Sequence, residues 1–135
     1  MSFLPVYLDT SAIVKLVVAE RETDALLAAL APWPDRVSSV LARVELHRAL
    51  WRVRAARPIR ARAEAVLAAL VLVRLDEPVL SRAASFRDPT LRALDAIHLA
   101  TALSLGDDPD AFITYDTRLA AAARKQRLRV QHPGV

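Results

Sequence analysis

The chain has 135 residues, of which 54% are hydrophobic and 25% charged, with a formal net charge of +4 and no cysteine. That length buries a real core without a linker, so one domain over residues 1–135 is expected, and the missing cysteine excludes disulfides, thiolate metal sites and thiol nucleophiles. Lys15 and Lys125 are the only lysines among 19 basic residues; Arg suits phosphate recognition, but an Ala- and Arg-heavy composition also follows from genomic base bias, so charge alone does not assign nucleic acid.

Val6-Tyr7-Leu8 is a short apolar run that predicts a buried strand. It ends abruptly on Asp9, and Thr10-Ser11 offer hydroxyls to cap the helix that follows. Thr23 starts a second helix through Ala25, Leu26, Leu27 and Leu30, closed by Pro32 and Pro34, with Trp33 packed on the core. Arg36-Val37-Ser38 reads as a second strand. Ser38 or Ser39 then caps a long helix, with Val40, Val44, His47 and Trp51 along its apolar side. Ala55 to Pro58 break it, and Ile59 to Leu70 form its hairpin partner, the pair carrying Arg43, Arg48, Arg52, Arg54, Arg57, Arg60 and Arg62.

Val71-Leu72-Val73 is strand-like, and a short helix begins at Asp76 or Glu77 and runs to about Ser85. Asp88-Pro89 marks a turn. Leu91 to Leu105 is expected to be helical and to stop at Gly106. Ala111 to Tyr115 is the clearest strand and again ends on an acid, Asp116. Thr117 to Gln126 is a helix, and Leu128 to Gln131 a final strand. Strands alternating with helices indicate a parallel sheet covered on both faces. The longest apolar run, Ala65 to Val73, is well short of the roughly 18 residues of a membrane span, and no stretch has the pattern of a signal peptide. A soluble, cytoplasmic protein is expected.

Four acids stand in unusual places. Asp9 and Asp116 each end a strand immediately before a helix, which puts both at the carboxyl edge of a parallel sheet, where ligands bind. Glu45 lies beside Val44 in the long helix, and Asp95 begins the otherwise apolar run Leu94-Asp95-Ala96-Ile97-His98-Leu99-Ala100-Thr101-Ala102. Singly, each has a plain structural explanation: helix caps for Asp9 and Asp116, pairing with Arg48 or Arg52 for Glu45, a helix N-terminus for Asp95. Together they suggest a convergent carboxylate cluster, which repels itself unless a divalent cation neutralises it. With oxygen donors only, the fitting ion is Mg²⁺ or Mn²⁺. His98, one helical turn after Asp95, reads as a packed or hydrogen-bonded helix residue rather than a ligand.

Leu8-Asp9-Thr10-Ser11-Ala12, Glu45 in a long helix, Leu94 to Ala102 and Thr114-Tyr115-Asp116 occur in that order, and in this the chain resembles the PIN-domain ribonucleases. Its length and helix spacing are most similar to the VapC-type toxins of type II toxin–antitoxin pairs. The resemblance implies a three-layer α/β/α sandwich with a central, mostly parallel sheet. It also implies Mg²⁺-dependent RNA cleavage, homodimerisation and inhibition by a cognate VapB-like antitoxin. By motif position, Asp9, Glu45, Asp95 and Asp116 are then the acidic quartet, and Thr114 is the hydroxyl that accompanies them. Asp9 and Asp95 are the first choices as direct metal ligands and Asp116 the next, with Glu45 acting through water.

Other acid-using folds fit less well. A haloacid-dehalogenase-type phosphotransferase needs a second Asp where Ser11 stands, and a receiver domain needs an acid pair near its first strand. An RNase H-like nuclease opens with a strand hairpin, whereas a helix follows Asp9 directly. Two readings remain beside the toxin: an RNA-processing PIN nuclease with no antitoxin, and a non-catalytic PIN-fold module that binds RNA or protein.

Overall fold

The computed structural model describes residues 4–135. Five short strands, β1 (Val6–Leu8), β2 (Arg36–Ser39), β3 (Val71–Val73), β4 (Ala111–Ile113) and β5 (Val130–Gln131), form one sheet in the order β3-β2-β1-β4-β5. Every pairing is parallel, with Tyr7 opposite Val37 on one side and Phe112 on the other. Seven helices connect them: α1 (Thr10–Val17), α2 (Thr23–Leu30), α3 (Leu41–Arg52), α4 (Arg57–Ala68), α5 (Glu77–Ser85), α6 (Ala93–Leu103) and α7 (Thr117–Lys125). The parallel sheet expected from the alternation is found, and each pairing among the described residues is parallel.

The two-residue period of the central strands splits the core in two. Val6, Leu8, Ala111 and Ile113 face α1 to α4, joining Ile13, Leu16, Leu26, Leu46, Leu50 and Leu67. Tyr7 and Phe112 point the other way, into Leu99, Ala102, Leu119 and Ala123 of α6 and α7. Their rings stack, with centroids 5.2 Å apart and planes within 6°. Both strands are covered on each face, which is why they read as continuous apolar runs. The result is an α/β/α sandwich of three layers.

Several local expectations are corrected. The first helix is not capped by Thr10 or Ser11: Asp9 caps it, its carboxylate accepting from the Ala12 N–H at 3.0 Å. In α3 the inward face is Ala42, Leu46 and Leu50, not the stripe through Val44 and Trp51; those two are 62% and 54% exposed. Trp51 is instead covered by the Arg60 guanidinium, 4.4 Å from its ring centroid. Ser39 assists the start of α3, accepting from the Leu41 N–H, whereas the Ser38 hydroxyl is buried with no partner among the described residues. The α4 helix begins at Arg57, with Pro58 in its first turn where a missing N–H costs nothing. The α6 helix ends at Leu103, two residues before the expected stop, where Arg82 donates to the Leu103 carbonyl at 2.6 Å. Gly106 does adopt the left-handed conformation, with φ of 91°.

Trp33 packs on the first core and also donates its ring N–H to Asp110 at 2.8 Å. No helix among the described residues is long and apolar enough to cross a membrane.

Candidate active site

The sheet order reverses direction between β1 and β4. From β1 the chain steps outward through β2 to β3, then returns to the far side of β1 to lay down β4 and β5. At such a switch point the connections diverge and leave a crevice outside the carboxyl ends of the two strands. Asp9 follows β1 and Thr114-Tyr115-Asp116 follow β4, so chain topology alone brings these residues to one edge.

Asp9 is 3% exposed and heavily bonded. One carboxylate oxygen accepts from the Ser11 hydroxyl at 2.7 Å and from the Ala12 N–H; the other accepts from the Thr114 hydroxyl at 2.6 Å. Burial nevertheless pushes its pKa above the ordinary carboxylate range, against the lowering influence of His98 and these donors. Thr114 also accepts from the Asp116 N–H at 3.1 Å, which ties the two strand ends together. Asp116 caps α7, with one oxygen receiving the N–H groups of Arg118 and Leu119.

Asp95 sits in the first turn of α6 and is half-buried. Neither a hydrogen bond nor an ion pair holds its carboxylate among the described residues. Burial raises its pKa first, and the negative charges of Asp116 and Asp9 raise it further. Asp95 and Asp116 line one open cleft of ≈ 360 Å³ together with Arg92, Tyr115, Thr117 and Arg118. No ion pair joins those arginines to those acids among the described residues. The cleft therefore holds two uncompensated carboxylates with guanidinium groups at its margin.

Glu45 reaches the site from α3 and is turned toward different partners. Its Oε1 accepts from Thr10 at 2.6 Å and lies 2.7 Å from His98 Nε2. Burial opposes its ionisation, but these hydrogen bonds hold its pKa below the usual value. Among the described residues no group of three or more His, Asp or Glu side chains is set to hold a metal ion. Glu45 is engaged by Thr10 and His98, whereas Asp9 Oδ2 accepts a single donor and keeps a lone pair for an ion. Asp95, with both oxygens unbonded among the described residues, and Asp116, with one, suit a hard cation, since Mg²⁺ is commonly held by one or two carboxylates and keeps several waters.

Reasoning from sequence missed Tyr7 as a polar partner and missed where the Thr10 and Ser11 hydroxyls point. The signal for the latter was two adjacent hydroxyls behind a buried acid. No local signal tied Tyr7 to His98.

This arrangement, carboxylates gathered at the switch point of a parallel sheet, defines an acid-cluster α/β domain. The chain belongs to the PIN domain family, whose model matches residues 6–125. It is 48% identical over 129 residues to "Ribonuclease VapC46" of Mycobacterium tuberculosis, covering 95% of this chain and 97% of that protein. It is 44% identical over 138 residues to "Ribonuclease VapC35" of the same species, covering 96% and 97%. Its fold is similar to a solved "Toxin-antitoxin complex from Klebsiella pneumoniae", with a TM-score of 0.71 at 23% identity over 95% of this chain and 97% of that one.

Proposed function

We propose that this chain is a metal-dependent ribonuclease that acts as the toxin of a toxin–antitoxin pair. The observation that carries the reading is the cleft in which Asp95 and Asp116 stand without a cationic partner, with Asp9 behind them at the same sheet edge. Near-full-length likeness to two VapC ribonucleases supports RNA as the substrate.

The roles follow from position. Asp95, Asp116 and Asp9 would hold Mg²⁺ or Mn²⁺, and Glu45 would act through a water. When bound, the ion supplies charge for a phosphate oxygen and acidifies a water. Thr114 fixes the orientation of Asp9 and the backbone of Asp116 at once. Ser11 orients Asp9 from the helix side and accepts the Tyr115 N–H at 2.9 Å. Arg92 and Arg118, at the cleft margin, would pair with the RNA backbone, where the bidentate guanidinium fits a phosphate.

A toxin must be silenced in its host. A VapB-like antitoxin would insert an Arg or Lys among the carboxylates, replacing the charge of the ion. Homodimerisation and a cytoplasmic location belong to the same reading; sedimentation at micromolar concentration tests the first. The decisive experiment pairs biochemistry with growth. Purified protein should cleave single-stranded RNA with Mg²⁺ and stop when the ion is chelated, and Asp95→Asn should not cleave. Expression alone should arrest growth, and co-expression of the adjacent small gene should restore it. Cleavage without growth arrest would favour an RNA-processing nuclease; an absence of metal-dependent cleavage would leave only a binding module.

A further inference from the structure

Glu45 is held by residues from three other elements. Thr10 at the start of α1 and His98 on α6 both reach its Oε1, at 2.6 and 2.7 Å. Behind His98, the Tyr7 hydroxyl on β1 lies 2.8 Å from Nδ1. Thr10 Oγ1 is also 3.2 Å from His98 Nε2, which closes a triangle of Glu45, Thr10 and His98. Tyr7 is 0% and His98 2% exposed, so the relay is dry until it reaches Glu45, whose side chain is 21% exposed.

Two placements of protons satisfy all four contacts, and both put a hydrogen on Nε2. A carboxylate only accepts, so Nε2 must carry the hydrogen that faces Glu45. In the neutral ring Nδ1 accepts from the Tyr7 hydroxyl, and in the imidazolium it donates to the Tyr7 oxygen; the Nε2–H bond to Glu45 is the same in both. Thr10 gives its own hydrogen to Glu45 and turns a lone pair to Nε2–H as a second, longer acceptor. The Tyr7 ring is fixed in turn by its stack on Phe112 and by an edge-on approach to the imidazole, 5.9 Å between centroids. The two bonds to Glu45 both fall on Oε1. No described residue donates to Oε2.

We propose that Tyr7, His98 and Thr10 are positioning residues that lock Glu45 by one oxygen and leave the other, Oε2, as the working acceptor for a water at the reacting phosphate. This rests on the ribonuclease reading above. It explains why an apolar helix carries a histidine facing a glutamate 53 positions away: the imidazole is the rigid spacer that sets that oxygen's direction. A packed core histidine needs its ring buried and its nitrogens satisfied, but has no reason to bond the one side of Glu45 that a solvent-facing role leaves over.

The test combines kinetics on a short RNA with ¹⁵N spectroscopy of the metal-free protein. The parent should show His98 with a protonated Nε2, and Tyr7→Phe should move the Nδ1 resonance. His98→Leu should lower kcat about tenfold to a hundredfold, the range usual for lost outer partners of a site, with KM within about twofold. His98→Gln should recover most of the loss, because its amide N–H₂ can face Glu45 and its carbonyl can accept from Tyr7. Tyr7→Phe should lower kcat by a smaller factor while leaving the Mg²⁺-induced rise in melting temperature unchanged. A bare Nε2 in the parent overturns the proposal without needing any variant to fold. So does a folded His98→Leu with parental kcat, or a His98→Gln as impaired as His98→Leu. Asp95→Asn separates the two levels: if it cleaves normally, the ribonuclease site itself is misplaced, whereas its inactivity beside a fully active His98→Leu rejects only the relay.

Discussion

The Thr114 hydroxyl joins two strand ends by giving its proton to Asp9 at 2.6 Å and taking one from the Asp116 N–H at 3.1 Å. Both bonds are made by a side chain that is 1% exposed. Removing it leaves a buried carboxylate oxygen short of a donor and a backbone N–H short of an acceptor. Thr114→Val should lower unfolding free energy by about 1–3 kcal/mol, the usual cost of orphaned buried polar groups. Thr114→Ser keeps the hydroxyl and should recover most of it. Urea denaturation with an unchanged m-value checks the assignment, since a changed slope would mean a different compactness.

Asp95 gives a pH signature in the metal-free protein. Its pKa is raised in the folded state by burial and by the charges of Asp116 and Asp9. The folded protein therefore holds that proton more tightly than the unfolded chain. The stabilisation is fully present below the ordinary Asp value of 3.8 and is lost as pH rises through the folded value. Asp95→Asn removes this loss, so the variant should gain on the parent as pH is raised through that window, then keep a constant lead. Denaturation at a series of pH values in chelator measures it; a parent that outlasts the variant at neutral pH would contradict it.

Metal should act on the same residues with opposite sign. An ion that binds only the folded cleft stabilises by mass action, about 2.7 kcal/mol at a hundredfold excess over its Kd. Mg²⁺ should raise the melting temperature of the parent, and Asp95→Asn or Asp116→Asn should shrink that rise. An equal rise in the variants places the ion elsewhere.

The arginines of the α3–α4 hairpin divide into two kinds. Arg57 and Arg62 are exposed, whereas Arg60 is half-buried. Arg60 donates to the Ala55 carbonyl at 2.7 Å and lies over Trp51. Arg57→Gln with Arg62→Gln should leave stability within about 0.5 kcal/mol and reduce the salt slope of RNA binding by roughly one for each phosphate no longer paired. Arg60→Gln should instead destabilise by roughly 1 kcal/mol, because the Trp51 ring loses its covering cation and the Ala55 carbonyl its donor. Thermal melts beside a salt series of binding measurements distinguish the two.

What could be read from sequence followed chemistry that is local. Val6-Tyr7-Leu8 and Ala111-Phe112-Ile113 are continuous apolar runs because both faces of the sheet are covered, and an acid just after each run marks the ligand edge. The α3 register was not readable because two stripes compete there. Val44 and Trp51 are the bulkier markers, yet the buried set of Ala42, Leu46 and Leu50 is the one that fits against α1 and α4. Only tertiary packing selects between them. The link from His98 to Glu45 was hidden for a different reason: it depends on how α6 and α3 approach across the site, and neither segment encodes that distance.

The sheet order also sets a schedule for synthesis. Asp9 leaves the ribosome early, but its neighbour on the far side of β1 is β4, with Val6 opposite Ala111 and Leu8 opposite Ile113. A nascent fragment ending before Ala111 carries Asp9, Glu45 and Asp95 yet lacks Thr114, Asp116 and the strand that seats Asp9. The sheet edge that carries the proposed site is therefore completed only with the final stretch of chain, after β4 has paired with β1 and Thr114 has reached Asp9.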